Sequence, residues 1–390
     1  MGQLHVSGEF DALMERIDGI TGVLAEHAER NEEQGRLTPP VAEALRGSGV
    51  FKVGIPRELG GYELSPRQVL EVIARLSYAD ASAGWSFMAL QMITGTTAAY
   101  LGEQAARDLF PDVPGDRYAL IAGQGTRLGT AERVDGGYRI SGQWGFASGI
   151  DLATHLHTAA FCAETGQALV FTFPKERARL VDNWDVLGLR ATSSIDYHCD
   201  DVFVPDSHVY EITTTRGRHG GALYRAGLAN MSGICHTGWA LGVGRRMLDE
   251  LAALAVRKSG TPNASVDTAQ FHAEYARAEA ALRSAWAWAR DVWADNEATL
   301  DRGEPLSTEQ ETVTRLMLNS TTSSVHEVGQ IAYRWAATAA LRRGVLQRFF
   351  RDLHAGTQHV TSGPVVAQHC GRWLAGLAPE SRWTFLDLTP

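Results

Sequence analysis

Apolar positions along this chain change their period twice. From residue 8 to about 115 they recur at helical spacing. In FDALMERIDGITGVLAEHAERNEE, Phe10, Leu13, Ile17 and Ile20 form one stripe, as expected of a helix with one buried face. Pro39-Pro40 opens a short helix that Gly47 and Gly49 close, since proline suits the first helical turn and glycine the stop. IPRELGG reads as a loop, and SPRQVLEVIARLSYAD starts a helix with Ser65 as cap and Pro66 at its first position. From about 116 to 210 the period falls to two: YRISG, ALVFTFP and DYHCDDVFVP alternate or are β-branched, between the turn Asp135-Gly136-Gly137 and Pro174 and Pro205. After Gly220-Gly221 long Ala-rich segments such as CHTGWALGVGRRMLDELAALAVRK return to helical spacing.

The expected architecture is therefore mainly α with a central β-domain: helices over 1–115, a β-domain over 116–220 and a helical bundle over 221–390. Trp286 and Trp293 are seven residues apart and share a helix face; core or a subunit contact is the better reading of that pair than a cofactor platform.

Composition narrows the class. The chain has 390 residues, 44% of them hydrophobic, enough for a sizeable core. Thirty-six basic against 45 acidic residues give a formal charge of −9, without the basic footprint of a nucleic-acid binder. Cys162, Cys199, Cys235 and Cys370 are scattered and form no CxxC pair, which fits a reducing cytoplasm. No apolar run approaches the roughly 18 residues of a membrane span. MGQLHVSGEF carries no basic-then-apolar leader, and Val6 stands where a myristoylation signal needs Ser or Thr. A soluble cytoplasmic protein is expected, with neither membrane nor nucleic acid as partner.

Bare motifs exclude more than they assign. Gly123, Gly125 and Gly129 make a GxGxxxG followed by the hairpin sequence TAERVDGGYRI; with no βαβ unit around it, a nicotinamide-binding reading fails. His155 and His157 form an HxH pair on one strand face, without an apparent third ligand, so no metal is expected. Cys199 and Cys235 read as buried small residues, since no base is recognisably paired with them.

Five segments in order over about 310 residues resemble the acyl-CoA dehydrogenase superfamily: VGIPRELGGYELSP, ISGQWGFASGI, LGLRATSSIDYHCDDVFVP, WALGVGRRMLDELAALAVRKSG and RFFRDLHAGTQHV. The resemblance implies an N-terminal helical domain, a β-barrel-like middle domain and a C-terminal four-helix bundle, assembled as a homotetramer with flavin at a subunit boundary. Where that family's dehydrogenases carry the glutamate that abstracts the α-proton, counting from Arg351-Asp352 leads to His359 and Val360, so no carboxylate base stands there. DASAGW, WGFASG and RDLHAGTQH look instead like the group D two-component flavin-dependent monooxygenases. Those enzymes take reduced FMN or FAD from a separate NAD(P)H-dependent reductase, form a C4a-hydroperoxyflavin with O2 and oxygenate an aromatic or heteroaromatic small molecule at carbon, nitrogen or sulfur.

By that resemblance Phe146 stands where the family packs an aromatic against the flavin, Ser148 where a hydroxyl bonds flavin N5, and Gln124 and Thr130 in the first β-domain loop where the ring is contacted. Arg257, at the basic end of its helix, stands where the flavin phosphate is held, although it also suits a helix C-terminus electrostatically. His359 is the candidate catalytic residue together with Ser148. VLQRFFRDLHAGTQHV reads as one helix with Asp352, Gly356 and His359 near one face, Gly356 leaving room for a ring. The imidazole of His359 can then take a proton from a phenol or N–H, or hydrogen-bond the distal peroxide oxygen. The alternatives are an acyl-CoA dehydrogenase or oxidase with a relocated base, a non-catalytic flavin-binding paralogue, and a redox-neutral reaction on oxidised flavin.

Overall fold

A computed structural model describes residues 2–390, with side chains from residue 8 onward. Residue 1 and the side chains of 2–7, on which the leaderless N-terminus was read, lie outside it. The first layer is helical: α1 (Gly2–Gln34), α2 (Pro39–Gly47), α3 (Pro66–Ala79), α4 (Ala81–Tyr100) and α5 (Glu103–Leu109). Leu13 and Ile17 of the α1 stripe are fully buried, and Phe10 and Ile20 pack on the same core. Ser65 caps α3 in a reciprocal box with Gln68, satisfying donors that a helix start leaves unpaired. α4 is buried on almost every face, as a helix apolar all round must be; Asp80 caps it by accepting from Ala83 N–H at 2.7 Å.

The sheet follows, from β1 (Ile121–Val134), β2 (Gly137–Trp144), β3 (His155–Cys162), β4 (Gln167–Pro174), β5 (Arg179–Val181), β6 (Asp196–Pro205) and β7 (Val209–Glu211). Its order is β5-β6-β2-β1-β3-β4-β7, with β5 and β7 at the edges. β1 and β3 run parallel, and the other pairs are antiparallel. The segment expected as a loop around Gln124 and Thr130 is instead strand, with an irregularity between Gln124 and Gly129 where the register against β3 shifts. Glycine is needed at 123 for packing: its φ is +146°, and a Cβ there would lie 1.8 Å from the His157 carbonyl oxygen. The glycine pattern thus belongs to close strand approach.

The C-terminal layer holds α6 (Gly227–Lys258), α7 (Ala269–Asp301), α8 (Thr308–Ala336), α9 (Val345–Gly356) and α10 (Pro364–Leu374). α6 packs on α3, α8 and α9, and α7 on α8, so the first and last helical layers share one core. Trp293 is fully buried and Trp286 half-buried against that core. α9 stops at Gly356, so His359 lies beyond the helix at the start of a 3₁₀ turn over Val360–Ser362. A Cβ on Gly356 would meet the Trp239 ring at 2.3 Å; the space that glycine makes is filled by the protein's own indole, against the expectation of a bound ring there. A hairpin of β8 (Arg382–Thr384) and β9 (Asp387–Thr389) ends the chain, which the sequence reading did not include.

Candidate active site

Helices from both layers and the sheet enclose a cavity of about 630 Å³, within the range of small-molecule sites. α4 contributes Trp85, Met88 and Met92; the loop after β2 contributes Phe146 and Ser148; the start of α6 contributes Leu228, Cys235 and His236. The wall 184–189, the turn after α9 and the hairpin turn at Phe385 and Leu386 close it.

Trp85 organises the interior. Its Nε1–H donates to Ser148 Oγ at 3.0 Å, and its ring meets the rings of His236, Trp239 and His359 edge-on at 5.0, 4.9 and 5.9 Å. Ser148 Oγ lies 2.7 Å from Ser194 Oγ, which lies 2.6 Å from Thr192 Oγ1; Thr192 donates to the Leu189 carbonyl at 2.9 Å. A carbonyl only accepts, so the chain runs from Ser148 to Ser194 to Thr192. Ser148 then receives from Trp85, donates to Ser194 and keeps one lone pair for a donor in the cavity.

His359 caps its own turn. Nδ1 accepts the Thr361 backbone N–H at 3.4 Å and lies 2.7 Å from Thr361 Oγ1. The neutral ring therefore carries its proton on Nε2. Burial pushes its pKa down to about 4, because low-dielectric surroundings disfavour the imidazolium. His236 lies with its ring centroid 3.7 Å away at 32°; burial, and then the neighbouring His359, push its pKa well below the ordinary value. Both rings are neutral at pH 7.

Phe146 has φ +62° and is 67% exposed, with its edge on Trp184 at 6.0 Å. Left-handed backbone is unusual for a bulky residue, and here it holds an aromatic face at the cavity wall. Asp352 fixes that wall from behind: Oδ1 accepts the Leu189 N–H at 2.5 Å, and burial raises the carboxyl pKa to about 7. His157, from the HxH pair, also lines the cavity; burial holds its pKa at about 4, and Nδ1 is 3.3 Å from the Tyr210 hydroxyl. Among the described residues no group of three or more His, Cys, Asp or Glu is placed to hold a metal ion.

Of the residues singled out from sequence, His359, Ser148, Phe146 and Gln124 line this one cavity. Gln124 is spoken for locally, with Oε1 accepting Arg127 N–H at 3.0 Å and Nε2 donating to Thr126. Thr130 does not line the cavity: it is exposed on β1 beyond the irregularity and donates to the Ser141 carbonyl at 3.2 Å. Arg257 is exposed at the end of α6, also outside the lining. Trp85 entered the sequence reading only within DASAGW, and His236 was not singled out; its one signal was a histidine in the apolar run of α6.

The lining fits a flat heteroaromatic cofactor such as a flavin. Phe146 and Trp184 offer ring faces, and Ser148 offers an acceptor for a ring N–H. None of the lining residues is Asp, Glu, Lys or Arg.

The chain matches the family model described as acyl-CoA dehydrogenase, N-terminal domain, over residues 18–111, and that described as acyl-CoA dehydrogenase, C-terminal domain, over 234–363. Between them they take in more than half of its length. It is 26% identical over 365 residues to the "Flavin-dependent monooxygenase, oxygenase subunit HsaA" of Rhodococcus jostii (strain RHA1), covering 90% of this chain and 94% of that one. It is 33% identical over 226 residues to the "FADH(2)-dependent resorcinol hydroxylase, oxygenase component" of Rhizobium sp. (strain MTP-10005), about half of each chain (56% and 54%). The crystal structure of 3-HSA hydroxylase from Rhodococcus sp. RHA1 superposes with a TM-score of 0.87 at 25% identity, covering 93% of this chain and 96% of that chain.

Proposed function

The chain belongs to the acyl-CoA dehydrogenase superfamily, and from that premise we infer that it is the oxygenase component of a two-component flavin-dependent monooxygenase acting on an aromatic or heteroaromatic small molecule. The observation that carries this reading is a cavity with paired neutral imidazoles, a free serine acceptor and no carboxylate. The glutamate base that the dehydrogenases of this family use has no counterpart in the lining, and the Nδ1 lone pair of His359 is taken by Thr361, which makes a dehydrogenase with a relocated base the weaker alternative.

A reduced FMN or FAD, delivered by a separate NAD(P)H-dependent reductase, supplies the activation of O2 when bound. The chain's own residues do the rest. Phe146 and Trp184 hold a ring at the wall, and Asp352 keeps that wall in place through Leu189. Ser148 orients a ring N–H through its free lone pair, with Trp85 and Ser194 fixing the hydroxyl. His359 presents Nε2–H as a hydrogen-bond donor, because its Nδ1 is committed to Thr361; it is a donor where the sequence left donor and base both open. His236 stacks on it and keeps water from its face, and Met88 and Met92 add to a dry lining that protects a reactive oxidant. No helix among the described residues is long and apolar enough to cross a membrane; we propose a cytoplasmic location and a homotetramer.

The test is oxygenation of a panel of phenols and indoles with 18O2, NADH, FMN or FAD and a flavin reductase. One labelled oxygen in product and dependence on the reductase are expected. A tightly bound flavin bleached by an acyl-CoA without any reductase would instead establish the dehydrogenase alternative.

A further inference from the structure

The histidine pair of β3 and the glycines of β1 meet at one place in the cavity wall. His157 lies opposite Gly123 on β1 and Thr172 on β4, and its carbonyl accepts from the Tyr197 hydroxyl at 3.3 Å. The residue is 1% exposed, and its Nδ1 is 3.3 Å from the Tyr210 hydroxyl. Of these two groups the phenol is the stronger donor and the imidazole nitrogen the stronger acceptor. Tyr210 therefore donates to Nδ1, and the proton of this neutral ring sits on Nε2. Nε2 has no partner among the described residues and is not one of the polar atoms that burial seals off, so it opens on the cavity that His157 lines. A Cβ on Gly125 would stand 3.6 Å from Nε2, and 3.8 Å from both Ile212 Cδ1 and Leu228 Cδ2. Gly125 thus leaves free the space beside Nε2–H, and the side chains that border that space are aliphatic. A donor held out of bulk water without an acceptor is costly, which marks the spot as one that a ligand completes.

We propose that His157 Nε2–H is a substrate-binding donor that takes the carbonyl oxygen of an aryl ketone at the Gly125 end of the cavity. This rests on the oxygenase reading only in calling the occupant the substrate. A ketone suits the place because its oxygen only accepts. A hydroxyl would leave its own proton facing Ile212 and Leu228, and a carboxylate would lose its hydration against an uncharged ring. The donor is assigned to the substrate because Ile212 and Leu228 also line an adjoining chamber of about 380 Å³, which Phe146, Ser148 and Trp184, the residues suited to a flavin ring, do not line.

The experiment measures equilibrium binding of 4-hydroxyacetophenone and of 4-ethylphenol to the full chain, without flavin. The two probes are close in size and differ by the carbonyl oxygen. The ketone is expected to bind about 5-fold more tightly, the scale of one hydrogen bond. His157→Phe should erase that preference while leaving 4-ethylphenol binding unchanged, which also reports that the variant is folded. His157→Gln, whose amide keeps a donor, should retain most of the preference. The infrared stretch of the bound carbonyl, 13C-labelled, should lie at lower frequency in wild type and His157→Gln than in His157→Phe. Equal binding of the two probes by wild type, binding of neither, or a preference that survives His157→Phe overturns the proposal. Equal weakening of both probes in His157→Phe and in His157→Gln would reduce His157 to a packing residue and overturn it too. Weaker riboflavin binding in His157→Phe, with the ketone preference intact, would assign the donor to the flavin. Because the binding assay contains neither flavin nor reductase, these failures leave the 18O2 assay free to stand or fall separately.

Discussion

Replacing Ser148 by Ala removes a hydroxyl that receives from Trp85 and donates to Ser194, leaving the indole N–H without its acceptor. If that hydroxyl orients the flavin, oxygen consumption should continue while product per NADH falls, on the order of 10-fold, and free hydrogen peroxide rises. Unchanged coupling would remove Ser148 from the mechanism. His359→Asn should lower oxygenation by ~100-fold or more, the scale of a lost preorganised donor, with flavin binding and the unfolding transition close to wild type. The pH profile tests the proton assignment separately. With the His359 pKa down at about 4, the ring stays neutral from pH 8 to about 5, so its ionisation should leave no limb near the ordinary histidine value of ~6.5. A limb there that vanishes in His359→Asn would show that an imidazolium participates. Legibility at this scale followed motif position. His359, Ser148 and Phe146 stood at recognisable places, whereas Trp85 and His236 sit on two helices whose packing brings their rings together, a contact with no signature in sequence spacing.

The contact between α9 and the wall 184–189 is made by the Arg351 bond to the Leu187 carbonyl at 3.0 Å and by one buried carboxyl, Asp352, on Leu189 N–H, and the pH behaviour of that carboxyl can be worked out. Desolvation raises Asp352 to about 7 against the Leu189 hydrogen bond, with Asp80 and Glu32 pushing the same way and Arg351 opposing. A folded pKa above the unfolded one gives stability that is present at low pH and lost as pH rises through about 7. His157 and His359, each at about 4, have the opposite effect, since the unfolded chain binds their protons first as pH falls below ~6.5. Asp352→Asn keeps an acceptor for Leu189 N–H but no charge. It should therefore exceed wild type in denaturant midpoint at pH 8, by a margin that shrinks toward pH 5. A constant margin across that range would mean that the carboxyl does not titrate in this window. Elements were legible wherever a period was sustained, as in α1, α3, β4 and β6. β1 was missed because glycines interrupt its alternation, and the end of α9 because the chain leaves the helix at Thr357 and enters a 3₁₀ turn that the His359 side chain caps. The hairpin 382–389 has strands of only three residues each, too short for a pattern to declare itself.

At the scale of the whole molecule the open question is how a flavin phosphate is neutralised, because the main cavity has no lysine or arginine in its lining. Arg257 is exposed and lies outside that lining, and we propose that it serves the cavity of a neighbouring chain in the homotetramer proposed above. Trans service has a consequence that cis service lacks. Arg257→Gln, a surface change of small stability cost, should bind FMN less tightly than wild type while binding riboflavin equally well, and should be poorly active at limiting FMN. His359→Asn should be inactive at any FMN concentration. Co-expressed, the two form mixed oligomers in which a cavity with intact His359 faces a chain with intact Arg257. Such hybrids should recover on the order of a quarter of wild-type activity if chains pair at random within a closed symmetric assembly. Separately purified variants combined without subunit exchange provide the baseline. No recovery in hybrids whose mixed composition is verified by native mass spectrometry would place Arg257 in the service of its own chain or of neither. A monomeric mass at assay concentration would remove the shared site altogether.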